Sequence, residues 1–114
     1  MWVDAKIANA VTGREVKVRA LVDTGATFTV VPWRIDEELG LMVIGKRSAK
    51  TAKGYAELDE SFALIEVEGK RAVTPVLVSR DVEDVLIGVV TLEALGLEVD
   101  PVTGKLKEAE ILLL

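Results

Sequence analysis

Three consecutive residues, Asp23-Thr24-Gly25, place the tightest constraint on this chain. They follow the apolar run Ala20-Leu21-Val22 and precede Val30-Val31. A carboxylate is thus delivered at the end of what reads as a buried strand. An unpaired carboxylate is costly to bury, so a chain that places one there generally uses it. The tripeptide occurs once in the 114 residues, not twice.

The surrounding pattern is that of strands. Glu15 to Arg19 alternate polar and apolar before passing into Ala20 to Val22, and Trp2 to Ala8 is similar, with Thr12-Gly13 as the turn between them. Phe62 to Val67 and Arg71 to Val78 form a second such pair around Glu68-Gly69. Two short helices are expected, over about Arg34–Leu39 and about Thr91–Leu95, each closed by a glycine, Gly40 or Gly96. The halves repeat: Gly13 matches Gly69, and Leu39-Gly40-Leu41 matches Leu95-Gly96-Leu97. In this reading Gly25 corresponds to Gly88 of Leu86-Ile87-Gly88, with a gap. The pattern describes a duplicated β template inside one all-β domain, 1–114. Lys46 to Glu60 lacks an apolar face and reads as a projecting hairpin, on which Lys46, Arg47, Lys50 and Lys53 are solvated. After a turn over Asp100–Gly104, the apolar residues Ile111 to Leu114 are expected to pack on the body or on another subunit.

Composition narrows the chemistry. There is no cysteine and no histidine, which excludes disulfides, thiolate nucleophiles, Ser-His-Asp catalysis and the commonest zinc ligands. Acid–base work near neutral pH is left to carboxylates, lysines or the single Tyr55. With a net charge of -5 and no basic cluster interleaved with aromatics, nucleic acid is not an expected partner. No apolar run approaches a membrane span and no signal pattern opens the chain, so neither a membrane nor a secretory route is expected, and the cytoplasm is the default. Asp81, Glu83 and Asp84 read as an exposed acidic loop without the ligand spacing of a calcium site. Glutamine is absent and Asn9 is the only asparagine, a composition resembling that of thermophile proteins.

Leu21-Val22-Asp23-Thr24-Gly25-Ala26-Thr27, followed by Val85-Leu86-Ile87-Gly88 and a short helix, resembles a retropepsin-like aspartic protease of the cellular and prokaryotic single-domain type. The likeness runs from about Ala5 to Leu97. It implies an all-β, closed retropepsin-like barrel with a flap hairpin at 46–60 and a C-terminal hairpin and tail at 97–114. It implies peptide hydrolysis by a water activated between two carboxylates, with no cofactor and no metal. Because the motif occurs once, the family's carboxylate pair requires a homodimer with Asp23 and its mate on the two-fold axis. Asp23, Thr24 and Gly25 then carry catalysis, and Thr24 is implied to hydrogen-bond across to the partner loop. Ala26, Thr27, Phe28, Val30 and Leu86 match positions lining the family's subsites for a peptide or protein substrate, and Lys53, Gly54 and Tyr55 fall near the flap tip. Viral members usually carry an Asp where this chain has Thr27 and an Arg where it has Val89, so both partners of that ion pair are absent together.

Two other function classes fit parts of the sequence. Asp23-x-Gly25-x-Thr27 matches the phosphate loop of sugar kinases and actin-like ATPases, although those folds need far longer chains. A dimerising or peptide-binding module that keeps the protease fold without hydrolysis would carry the same motif.

Overall fold

A computed structural model describes residues 1–114. Nine strands and two helices follow in order: β1 (Trp2–Ala8), β2 (Glu15–Val22), β3 (Thr29–Pro32), α1 (Trp33–Leu39), β4 (Gly45–Thr51), β5 (Gly54–Val67), β6 (Lys70–Ser79), β7 (Leu86–Ile87), α2 (Val89–Leu95), β8 (Leu97–Val99) and β9 (Leu106–Glu108). The strands pair in the order β1-β2-β7-β3-β6-β5, and β5 pairs back onto β1, which makes a ring. β4 hangs on the outer edge of β5, and β8 and β9 form a separate hairpin. No helix is long and apolar enough to cross a membrane.

Period-two patterning explains the ring. In β2 the charged Glu15, Lys17 and Arg19 face out and Ala20 and Val22 face in; in β5 the inward set is Ser61, Ala63, Ile65 and Val67. The apolar members of these inward sets meet Ile7, Val31, Val76, Val85 and Ile87 in one core, which Leu39, Leu92 and Leu95 of the two helices cover. Asn9 fastens the first hairpin to this body. Its Oδ1 accepts from the N–H groups of Val11 and Thr12 at 2.8 and 3.1 Å, and its Nδ2 donates to the carbonyls of Leu39 and Gly40, both at 3.1 Å. The first turn is therefore organised from Asn9 as much as from Thr12-Gly13.

The duplication is visible in the strand pairing, with a register that corrects the sequence reading. One offset of 56 residues relates Gly13 to Gly69 and Leu39 to Leu95 without a gap. At that offset Gly88 is the equivalent of Pro32, not of Gly25; each stands immediately before a helix. Val30 of β3 pairs with Leu86 of β7, its own equivalent. The parallel pairs Leu21–Leu86 and Val22–Ile87 recur as Leu77–Val30 and Val78–Val31. The axis of the repeat thus passes between β3 and β7.

The two halves touch at Gly88. A Cβ there would lie 2.5 Å from the carbonyl carbon of Phe28, 2.6 Å from its oxygen and 2.9 Å from the oxygen of Thr27. Only a glycine permits this backbone-to-backbone approach. α2 also begins at Val89, two residues before the expected Thr91. The β-branched Val89-Val90 pair disfavours a helix start in isolation. Here the carbonyls of Ala26 and Thr27 take the Val89 and Val90 N–H groups at 2.9 and 3.0 Å, satisfying donors that a helix N-terminus leaves free.

The C-terminal hairpin is held by Ala109, whose N–H donates to the Gly96 carbonyl at 2.8 Å, and by the Lys70–Glu108 ion pair at 2.7 Å. Beyond it, Ile111 to Leu114 stay largely exposed, Ile111 bordering a concavity beside Leu92 and Leu97; Leu113 is 93% exposed. The last backbone hydrogen bond to the body is that of Ala109.

One carboxylate is poorly accommodated. Asp36 of α1 has its Oδ1 buried without a hydrogen-bond partner. Burial first, then the charges of Asp59 on β5 and Glu37, raise its pKa above the ordinary 3.8. Its folded-state pKa exceeds the unfolded one, so the proton-linked stability is fully present below the unfolded value and is lost as pH rises through the folded one. Asp36→Asn is expected to raise the melting temperature at pH 7, by an amount worth up to about 1 kcal/mol, and to give no gain below the ordinary carboxyl range; thermal melts across pH measure this. Gly88→Ala is expected to cost about 3 kcal/mol or more in urea unfolding, because backbone rather than a flexible side chain must give way.

Candidate active site

Asp23 leaves the end of β2 with every backbone group occupied. Its N–H donates to the Ile87 carbonyl at 3.0 Å, continuing the parallel β2–β7 ladder, and its carbonyl accepts from the Ala26 N–H at 3.1 Å. Its Oδ1 accepts from the Gly25 N–H at 2.9 Å. This is an Asx turn, the local bond that makes Asp favourable just before a glycine. A Cβ on Gly25 would stand 3.2 Å from that same oxygen, so the missing side chain leaves the carboxylate room. Asp23 is half-buried, and Thr24 and Gly25 are exposed at the surface of the single chain.

The repeat shows what the other half has in this place. At the 56-residue offset Asp23 corresponds to Ser79. Ser79 Oγ accepts from the Asp81 N–H at 3.0 Å, the same side-chain-to-backbone turn with a hydroxyl instead of a carboxylate. The chain therefore contains one copy of the acidic turn and one neutral counterpart.

The other residues singled out from sequence fall into two groups. Ala26, Thr27 and Phe28 continue the Asp23 loop and meet the Gly88 loop, where backbone bonds run from Val89 and Val90 to the Ala26 and Thr27 carbonyls. Val30 and Leu86 are paired in register beside them, both half-buried. Lys53, Gly54 and Tyr55 lie at the tip of the β4–β5 hairpin, where Tyr55 is 78% exposed. Hydrogen bonds at this tip stay local: Thr51 Oγ1 donates to the Gly54 carbonyl at 2.8 Å and accepts from the Lys53 N–H at 3.2 Å.

The base of the hairpin is better anchored than a solvated reading of its lysines and arginine implies. Lys46 pairs with Asp59 at 3.0 Å, which raises the lysine pKa through that hydrogen bond and charge. Arg47 pairs with Glu60 at 2.6 Å, and its guanidinium sits 4.7 Å from the ring centroid of Phe28. A cation–π contact thus joins the hairpin to the Asp23 loop. A concavity of about 350 Å³ opens beside Thr24, with Val89, Leu92, Leu97 and Val99 among its walls. No group of three or more His, Cys, Asp or Glu side chains is arranged to hold a metal ion.

The sequence reading missed three residues beneath this loop. Thr29 Oγ1 accepts from the Gly88 N–H at 3.1 Å and lies 2.6 Å from Thr91 Oγ1, which lies 3.0 Å from Thr74 Oγ1. All three are at most 1% exposed. The available signal was a threonine embedded in each of three apolar runs, on β3, α2 and β6.

Against known proteins, an aspartyl protease family matches residues 3–99. The solution structure of simian foamy virus (mac) protease is similar, with 26% identity and a TM-score of 0.61, covering 82% of this chain and 92% of that one. The EIAV protease, solved complexed with the inhibitor HBY-793, shares the fold at 19% identity and a TM-score of 0.69, covering 99% of this chain and 92% of its own. No curated protein matches. An Asp-Thr-Gly turn on a six-stranded ring, a second apolar-apolar-glycine loop pressed against it, and a family match over most of the sequence lead to one assignment: the chain belongs to the aspartyl protease family and has the retropepsin-like fold.

Proposed function

We propose that this chain is an aspartic endopeptidase whose catalytic pair forms across a homodimer. The observation that carries the reading is the asymmetry of the repeat. Asp23 ends β2 in an exposed loop, while its internal equivalent is the neutral Ser79. A second carboxylate is supplied by a second copy, related by a two-fold axis through the loops.

The chemistry follows from two carboxyl groups sharing one proton. Carboxylates held about 3 Å apart do not both ionise, the known behaviour of aspartic protease pairs. The ionised partner takes a proton from a bound water as its oxygen attacks the peptide carbonyl carbon. The protonated partner gives its proton to the carbonyl oxygen. Collapse of the tetrahedral intermediate breaks the C–N bond, and the amine leaves with a proton returned from the pair. In this scheme Thr24 braces one loop against the other, and Gly25 gives the carboxylate space. Ala26, Thr27, Phe28, Val30 and Leu86 line the peptide channel. The β4–β5 hairpin, with Lys53, Gly54 and Tyr55 near its tip, acts as the flap that closes over substrate and excludes water.

Casein or peptide cleavage between about pH 3 and 6 tests the reading, since a carboxylic acid pair works best there. Asp23→Asn is expected to lower kcat by at least about a hundredfold while sedimentation still shows a folded dimer. Full cleavage by Asp23→Asn, or by a particle of monomer mass, overturns the proposal. A folded wild-type dimer that cleaves nothing would instead be the non-hydrolytic module.

A further inference from the structure

The Asp23 loop is held against the Gly88 loop at successive points. At its start, the Asp23 N–H donates to the Ile87 carbonyl at 3.0 Å. On the other side of that same peptide, the Gly88 N–H donates to Thr29 Oγ1 at 3.1 Å. Beyond that, the Val89 and Val90 N–H groups return to the Ala26 and Thr27 carbonyls. The Gly88 N–H alone among these is held by a side chain. Thr29 is the first residue of β3, so its hydroxyl closes the loop that Asp23 opens.

That hydroxyl is itself fixed from behind. Thr91 of α2 lies 2.6 Å from it and Thr74 of β6 lies 3.0 Å beyond. Three hydroxyls occupy sites with no more than 1% exposure, where valine would fill nearly the same volume at no desolvation cost. Hydrophobic burial does not explain them. A connected hydroxyl chain instead sets distance and direction across three elements, which apolar packing leaves looser.

We propose that Thr29, backed by Thr91 and Thr74, is a positioning residue for the hydrolytic pair: its hydroxyl fixes the Gly88 peptide, and through the Ile87 carbonyl fixes where Asp23 stands relative to its mate. The inference rests on the protease reading above. Its physical content is steepness. Repulsion between two carboxylates varies inversely with their separation in a medium of low polarity, so a small drift of the loop weakens their coupling. The two apparent pKa values of the pair then converge, and the bell-shaped activity profile narrows.

The test compares wild type, Thr29→Val, Thr29→Ser, Thr91→Val and the remote core truncation Ile65→Val, each as a folded dimer. Thr29→Val is expected to lower kcat by about tenfold to a hundredfold, with KM changed by less than about twofold. Its pH–activity bell should narrow by about half a pH unit or more. Thr29→Ser, which keeps the hydroxyl, restores both. Ile65→Val lowers the melting temperature and leaves the bell width alone. Thr91→Val, one link further away, narrows the bell less, and it decides the question if Thr29→Val does not fold. A Thr29→Val enzyme with wild-type kcat and bell width overturns the inference, as does a serine variant no better than valine. A wild type that cleaves nothing overturns the protease reading and the inference with it.

Discussion

The fold depends on two backbones meeting where no side chain fits. Gly88 faces the carbonyl of Phe28 at a distance that a Cβ would reduce to 2.5 Å. β3 and β7 have only four and two residues, too short to hold a ring on their own hydrogen bonds. The close approach aligns both at once, so that β2 pairs with β7 and β3 with β6 in the same parallel sense. It also brings the Ala26 and Thr27 carbonyls to the first N–H groups of α2, where a seven-residue helix with no side-chain cap needs acceptors. The acid-bearing loop is therefore tied to the Gly88 loop by backbone bonds, although its tip is exposed.

Duplication explains the geometry, and its imperfection underlies the proposed chemistry. Both halves use a side-chain acceptor two residues before a backbone donor: Asp23 to Gly25 and Ser79 to Asp81. Either side chain serves the turn. Only the carboxylate suits the proposed hydrolysis. A turn that tolerates both residues allows one half to carry charge while the other buries a hydroxyl at 6% exposure in the side of the ring. Neutral Thr27 and Val89 likewise need no charged partners, since backbone bonds hold those loops together.

Much of this was readable from residue order, for identifiable reasons. β1 and β2 have the expected limits because alternation and a glycine-marked turn bound them. Gly40 and Gly96 adopt the left-handed C-cap expected after each helix. The start of α2 was not readable, because its first donors are satisfied by residues more than sixty positions away. The equivalence of Gly88 with Pro32 was hidden for a similar reason: one position demands the absence of a side chain for a tertiary contact, and the other does not. Asn9 stood out by composition alone, and its four hydrogen bonds came only with the structure. The buried threonines gave no periodic signal, since a threonine in an apolar strand has the shape of valine.

The β4–β5 hairpin shows how surface charge and the site are connected. Its tip is bound only to itself, while its base carries Lys46–Asp59, Arg47–Glu60 and the stacking of Arg47 on Phe28. Exposed ion pairs add little stability individually, but Glu60 has only 16% of its side chain exposed, and Arg47 bonds it while covering an aromatic face. The hairpin is thus fastened at its base, beside the Asp23 loop, and makes only local bonds at its tip. Asp36 adds a pH dependence to the same region. Its buried oxygen has no donor, and its charge opposes that of Asp59, the partner of Lys46. Lowering the pH neutralises Asp36 before an ordinary carboxyl and removes that opposition. Protonation of Asp36 therefore weakens one repulsion between α1 and β5 at the base of the hairpin.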